Sequence, residues 1–146
     1  NASAPMTLVT LPFMRNVIGS MEYTPALMSI PRSPATSGFM LSMCVNYESA
    51  VQTWAQSGFV YPGYNGFSLI ADIPSVWDET IVLDGYPHSH AIEARRNGEN
   101  WYVGAMTVPA DRYEFKLDFL DEPGLGIREG IINIELPAIS AEEGTI

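Results

Sequence analysis

Between Val76 and Thr107 the chain offers three β-leaning runs separated by two turn signals, Gly85-Tyr86-Pro87 and Asn97-Gly98. Asn-Gly between such runs marks a hairpin, because both residues tolerate the positive φ that a turn matched to strand twist demands. The pattern therefore predicts an antiparallel meander. Strand periodicity puts Ile92 and Ala94 on one face of the middle strand, and Trp101, Val103 and Ala105 on one face of the next. Both faces are expected to look into a core. Arg112 to Phe119 then alternates apolar with charged residues, which predicts a strand with one wet face. Asp121 to Gly126 reads as a turn, Ile131 to Leu136 as a last strand, and Ala138 to Ile146 as a frayed acidic end.

The first half has a different texture. Met6 to Phe13 alternates enough to predict a short strand or extended entry segment, in which Pro12 bars a central position in a sheet. Met21 to Pro25 is a second short extended run. Pro25 to Ser37 contains three prolines and reads as a loop. Thr36 or Ser37 can cap a helix whose body, Phe39 to Tyr47, is apolar except for Ser42 and Asn46. Those two stand four apart on one face, so the helix should be buried nearly all round. Ser49 can cap another short helix from Ala50 to Gln56, closed at Ser57-Gly58. Phe59 to Asn65 reads as aromatic loop, and Phe67 to Ile73 as a helical turn or two before Pro74. The fold class is α+β.

Composition sharpens this picture. With 47% hydrophobic and 16% charged residues the chain is globular. No apolar run is long enough for a membrane-crossing helix. A net charge of -10 with only seven basic residues argues against nucleic acid, whose phosphates are held by clustered Lys and Arg. The single cysteine, Cys44, excludes an internal disulfide. Charge is also unevenly spread: residues 1–72 hold two arginines against three carboxylates, while residues 73–146 hold five basic against fourteen acidic groups. A charge-poor first half predicts a covering of further protein, in the same chain or a partner. The start at Asn1 is read as either a removed segment or a piece of a longer chain, and no signal peptide is present to say which.

Leu11-Pro12-Phe13-Met14-Arg15-Asn16-Val17-Ile18-Gly19-Ser20-Met21-Glu22-Tyr23-Thr24-Pro25 resembles a signature near the end of the catalytic barrel in glycoside hydrolase family 97, the calcium-dependent α-glucosidases and α-galactosidases. That family usually reads Leu-Pro-Phe-Thr-Arg-Asn, then Gly-Pro-Met-Asp-Tyr-Thr-Pro, so Met14, Ser20 and Glu22 are departures. Val45 to Ser57 resembles the family's last barrel helix. Trp77-Asp78-Glu79-Thr80, Leu83-Asp84-Gly85, Ala94-Arg95-Arg96 and Trp101 to Thr107 resemble the start of its C-terminal β-domain. The resemblance covers roughly residues 7–120, and the closing strands beyond it depart from the pattern. It implies the terminal βα segment of a (β/α)₈ barrel over residues 1–74, with a buried helix near 38–56, followed by an antiparallel β-sheet or sandwich domain over residues 75–146. A whole barrel takes about 250 residues. The family's acid and base glutamates and its calcium ligands fall upstream, so the resemblance implies calcium in the full-length enzyme, none in this chain, and no catalytic residue here. By the same resemblance the protein is expected in the bacterial periplasm.

The carboxylates present are judged on their own chemistry. Glycoside hydrolysis needs two carboxyl groups facing across one bond. Asp78 and Glu79 are adjacent and point to opposite faces of a strand, so an edge pair or turn cap is the favoured reading. Glu22 ends an extended run in a charge-poor region, and strand ends at a barrel's top carry sites. Glu22 and Arg15 are therefore the candidate substrate-binding residues, set against a simple ion pair between them. His88 and His90 have a metal-compatible spacing on one strand face but no third ligand nearby, which favours solvated histidines. Cys44 reads as a small core residue. Trp54, Tyr61 and Tyr64 could stack on a sugar, with core plugging the favoured alternative. Three functions stand: the C-terminal portion of a hydrolase cleaving terminal α-linked glucose or galactose, inactive alone; a carbohydrate-binding β-module; or an oligomerising module without ligand.

Overall fold

The computed structural model describes residues 4–25, 35–55, 67–108 and 113–121. It opens with helix α1 (Ala4–Ile18), so the run expected to be extended from Met6 to Phe13 is helical instead. Pro5 sits in the first turn, where its missing N–H leaves no bond unmade. Pro12 is interior, and a proline there deprives the carbonyl four residues back of its donor. That carbonyl belongs to Leu8. The hydroxyl of Tyr47 donates to it at 2.9 Å, which replaces the lost helical bond from a position that no local pattern reveals. At the other end Arg15 donates to the carbonyls of Gly19 and Ser20, both at 3.1 Å, and closes the helix terminus.

Helix α2 (Ser37–Asn46) forms as expected, with Thr36 as N-cap accepting from the Phe39 N–H at 3.1 Å. Phe39 and Met43 join Val9 of α1, Tyr47 and Met106 in one core cluster, with Leu8, Leu11, Met21 and Tyr23 packed against it. Two polar residues in the body of α2, Ser42 and Asn46, face the sheet. Ser42 donates to the Ala105 carbonyl at 3.0 Å, and Asn46, fully buried, donates to the Ala91 carbonyl at 2.7 Å.

Residues 50–55 do not form the short helix expected from Ala50 to Gln56; Gln56 itself lies outside the described residues. The Ser49 hydroxyl is engaged with the Val51 carbonyl instead of capping a helix. The backbone then runs alongside the extended residues 21–25, with Tyr23 and Gln52 in a parallel bridge and the Ala55 N–H on the Pro25 carbonyl at 3.0 Å. Helix α3 (Phe67–Asp72) agrees with the predicted turn or two before Pro74. The loops expected within 26–34 and 59–65, and the last strand at 131–136, lie outside the described residues.

The meander is present as β1 (Glu79–Tyr86), β2 (His90–Asn97) and β3 (Asn100–Thr107), antiparallel in the order β1-β2-β3. The β2–β3 turn is Gly98-Glu99, closed by the Asn97–Asn100 pair. Gly98 alone takes positive φ, +60°, as a turn of type II′ requires of its first residue. Helices α1 and α2 lie against one face, on β2 and β3. There Gly104 lets α2 approach: a Cβ at that position would sit 2.8 Å from the Val45 Cβ and closer still to Asn46.

The facing of β3 is the reverse of expectation. Met106 and Gly104 point into the α2 core, whereas Val103 is 45% exposed and Ala105 is open. Ile92 and Ala94 are buried as expected. Their face is crossed by residues 113–121, where Tyr113 meets His90 at 4.7 Å and Phe119 meets Trp101 at 4.4 Å between ring centroids. Of the strand predicted over Arg112 to Phe119, the described residues 113–119 form no strand, and Asp118–Asp121 is a 3-10 turn. Alternation supplies an amphipathic run, but a strand also needs a neighbour for its ladder, and among the described residues that run has none.

Removing the Tyr47 hydroxyl should leave the Leu8 carbonyl without a donor. Tyr47→Phe is expected to cost about 1–3 kcal/mol in urea unfolding. In a Pro12→Ala background, where residue 12 regains its N–H, the same change should cost measurably less. Equal losses in both backgrounds would rule out this compensation.

Candidate functional site

Strand β2 carries Glu93 and Arg95 on the face that meets α2, and both are buried, at 7% and 4% exposure. The Arg95 guanidinium donates to Glu93 Oε2 from Nε at 3.1 Å and from Nη2 at 3.0 Å, and to Glu48 Oε2 at 3.0 Å. Its remaining donors reach the backbone carbonyls of Asn46 and Tyr47 at 3.3 and 3.4 Å. Those carbonyls end α2, where the partial negative charge of the helix favours a cation. Trp77 lies over the guanidinium, 6.0 Å from the ring centroid. The Glu48 carbonyl in turn accepts from Met21 N at 2.9 Å and Asn16 Nδ2 at 3.0 Å. One arginine on the sheet thus fixes the end of α2 and, through Glu48, the run of residues 21–25.

Burial raises the Glu93 carboxyl above its ordinary value of 4.5, and the charge and hydrogen bond of Arg95 oppose the rise. Sequence reading missed this cluster. The signal was the absence of alternation in Ala-Ile-Glu-Ala-Arg, which marks a strand buried on both faces.

The predicted site residues lie apart from it. Glu22 is exposed in the run of residues 21–25. Arg15 is exposed too, and its fork closes on Gly19 and Ser20 rather than on Glu22. His88 and His90 do not share a strand face. His88 occupies the β1–β2 turn at φ 66°, its N–H on the Thr10 hydroxyl at 3.0 Å, while His90 lies in β2 with Nε2 3.3 Å from Asp84 Oδ1. The hydrogen bond with His90 holds the Asp84 carboxyl below its ordinary value. Asp78 and Glu79 clasp Arg96 and the hairpin: Asp78 accepts from the Gly98 N–H at 2.7 Å, and Glu79 accepts from Arg96 at 3.1 Å. Cys44 is fully buried, and desolvation pushes its thiol up to about 12, which leaves no thiolate at neutral pH. Trp54 is half-buried, while Tyr61 and Tyr64 lie outside the described residues. Among the described residues no group of three His, Cys, Asp or Glu is placed to hold a metal ion.

Residues 76–126 match the family model described as the glycosyl-hydrolase 97 C-terminal domain, oligomerisation. The chain is a C-terminal portion of glycoside hydrolase family 97. It is 40% identical over 108 residues to a probable retaining α-galactosidase of Streptomyces bingchenggensis, a match that covers 70% of this chain and 17% of that relative. It is 38% identical over 114 residues to a retaining α-galactosidase of Bacteroides thetaiotaomicron, covering 68% of this chain and 17% of that one. Among solved structures it resembles a β-arabinopyranosidase, with TM-score 0.62, 27% identity and coverage of 73% of this chain and 19% of that one. A family 97 enzyme from Pseudoalteromonas sp. strain K8 in complex with panose gives TM-score 0.60 at 26% identity, over 70% of this chain and 18% of that one. The family 97 chain thus spans under a fifth of each relative's length. Its sheet is the part that the family model recognises, and the Arg95 clasp ties that sheet to the helices before it.

Arg95→Lys keeps the charge but loses the fork, and Arg95→Met leaves two carboxylates unpaired. The methionine variant is expected to lose about 3–5 kcal/mol in denaturant unfolding and the lysine variant less. No loss with methionine would remove the clasp from the argument. Because the folded value of Glu93 lies above its unfolded one, this group adds stability as pH falls through the folded value towards the unfolded one. Relative to Glu93→Gln, the wild type should therefore gain unfolding free energy as pH is lowered from above the raised folded value towards the ordinary 4.5. Parallel curves would contradict the assignment.

Proposed function

We propose that this chain is the C-terminal end of an exported glycosidase that removes terminal α-linked galactose or glucose from oligosaccharides. In this reading residues 1–74 complete a (β/α)₈ catalytic barrel and residues 75–146 form the oligomerising β-domain. The observation that carries it is the match of residues 76–126 to the family's C-terminal oligomerisation domain, on a sheet clasped to the preceding helices through Arg95. The two α-galactosidase relatives favour galactose. Catalysis and calcium binding then belong to residues upstream, and the periplasm is the proposed compartment.

An exposed stripe supports the barrel reading. Met14, Val17 and Ile18 stand three and four apart on α1 and are 64, 75 and 85% exposed. An apolar stripe of that width normally faces a core, and upstream barrel elements would cover it. Glu22, with Arg15 bracing the turn before it, is the residue of this chain proposed to meet substrate.

The test compares the 146-residue chain with the full-length protein on aryl α-galactosides and α-glucosides, with calcium and with chelator. Turnover is expected only from the full-length protein, lost on chelation; turnover by the short chain would refute the proposed division of labour. In the full-length protein Glu22→Gln should raise KM about tenfold or more, the loss of one charged hydrogen bond, with kcat little changed. Light scattering should show an oligomer that dissociates when residues 76–126 are removed. A monomer throughout would exclude the oligomerising role.

A further inference from the structure

We infer that Asn97-Gly98 is a deamidation site guarded by residues 76–78, and that its reaction releases the strap these residues form between the helices and the sheet. Asparagine is among the chemically labile residues, and a following glycine favours the reaction because it has no Cβ to crowd its own nitrogen. The Gly98 nitrogen gives up its proton and attacks the side-chain carbonyl carbon of Asn97; the bond from that carbon to Nδ2 breaks, and ammonia leaves with the proton. Water then opens the cyclic imide at either carbonyl, leaving aspartate or isoaspartate. Water is the only co-reactant, and both residues are exposed to it.

In the folded chain both reacting groups are occupied, and by the same strap. The Gly98 N–H donates to Asp78 Oδ2 at 2.7 Å, and Asn97 Nδ2 donates to the Val76 carbonyl at 3.0 Å. The attacking nitrogen is thus held by a carboxylate, the stronger class of acceptor for a backbone N–H, and the leaving group by a carbonyl. The surrounding backbone is fixed as well. Asn97 pairs with Asn100 in the ladder, the Asp78 N–H is on the Arg96 carbonyl at 2.8 Å, and Arg96 Nη1 donates to the Gly98 carbonyl at 3.1 Å. Ring closure has to swing the Asn97 side chain onto the next nitrogen, so these bonds must open first. The rate is then the intrinsic one multiplied by the fraction of time the turn is open.

The product cannot rebuild the strap. A carboxylate at position 97 has no donor for the Val76 carbonyl, and it adds negative charge at the turn that Asp78 already occupies. The isoaspartate form also lengthens the backbone at the last residue of β2, which disturbs the pairing with Asn100. Deamidation therefore frees residues 76–78, through which β1 follows α3. The release runs one way and is independent of substrate and of the oligomerising role.

The test holds the full-length protein in mildly alkaline buffer, folded and in urea, while peptide mass spectrometry follows conversion at Asn97. Conversion is expected to be about tenfold or more slower in the folded protein, and Asp78→Ala should speed it about tenfold, the effect of one charged hydrogen bond. Asp78→Asn, whose amide oxygen still accepts, should keep part of the guard, and Glu79→Ala, which removes only the neighbouring pair with Arg96, should change the rate little. Equal conversion folded and unfolded, or an Asp78→Ala protein that reacts no faster than wild type, would overturn the guard; a slower one would make Asp78 a base for the attack. Where Asp78→Ala does not fold, hydrogen exchange in the wild type decides: the Gly98 amide should exchange about tenfold or more slower than in urea, and unprotected exchange defeats the proposal. Asn97→Asp stands for the product and should speed exchange at the Asp78 amide. Wild-type exchange there would rule out the release.

Discussion

A buried guanidinium has to find partners for all its N–H groups, and the way Arg95 does so determines how the rest of this chain is arranged. Removing a cation from water costs several kcal/mol even after the surroundings relax. Here the cost is offset by Glu93 beside it on the same strand, Glu48 across from it, and two carbonyls at the end of α2. No single element could supply that set. The sheet contributes the cation and one carboxylate, the helix contributes its unpaired carbonyls, and the residue just beyond the helix contributes the second carboxylate. Slipping α2 by one turn along the sheet would strand a charge in low dielectric, whereas slipping an apolar interface would only exchange one contact for another. The clasp thus selects a register as much as it adds stability.

A second compensation works at the same helix end. Tyr47 follows α2 directly, and its hydroxyl supplies the bond that Pro12 denies to Leu8. Its backbone carbonyl meanwhile accepts from Arg95. One residue therefore links α1, α2 and β2. Burial raises the Tyr47 phenol above its ordinary range, so the proton it donates to Leu8 stays in place through the whole physiological range.

The meander was legible because its evidence is local: turn residues of restricted conformational type and runs of restricted length. The cap of α2 was legible for the same reason. What failed depended on distant partners. Met6 to Phe13 looked extended because it alternates, and nothing local shows that Tyr47 meets the Leu8 carbonyl which an interior Pro12 leaves without its helical donor. Residues 50–55 looked helical because the pairing of Gln52 with Tyr23 crosses some thirty positions. The facing of β3 was inverted because Gly104, a residue without a side chain to bury, is the point at which α2 comes closest. Of the site residues, Glu22 and Arg15 were singled out by position, at and before an extended run in a charge-poor region, and the structure leaves them exposed and unpaired with each other. The Glu93–Arg95 pair was passed over because charged residues two apart on a strand suggest a wet face. Only the unbroken burial of β2 shows otherwise.

The clasp also bears on how a C-terminal oligomerisation domain could influence chemistry elsewhere. Domains joined by loose linkers move independently unless their interface is large. Here the connection from α3 to β1 is residues 73–78, and it is pinned at both ends, by the Ile73 N–H on the Leu69 carbonyl and the Asp78 N–H on the Arg96 carbonyl, each at 2.8 Å. With Arg95 holding α2, and Glu48 holding Met21, the sheet and residues 21–25 are joined by a short path of charged and backbone hydrogen bonds. A contact made by the sheet with another subunit would therefore limit motion in the run that carries Glu22. Under the proposed function, assembly through the sheet and the substrate contact proposed for Glu22 would share one rigid support, which is a physical reason for placing an oligomerising domain directly after the proposed end of the barrel.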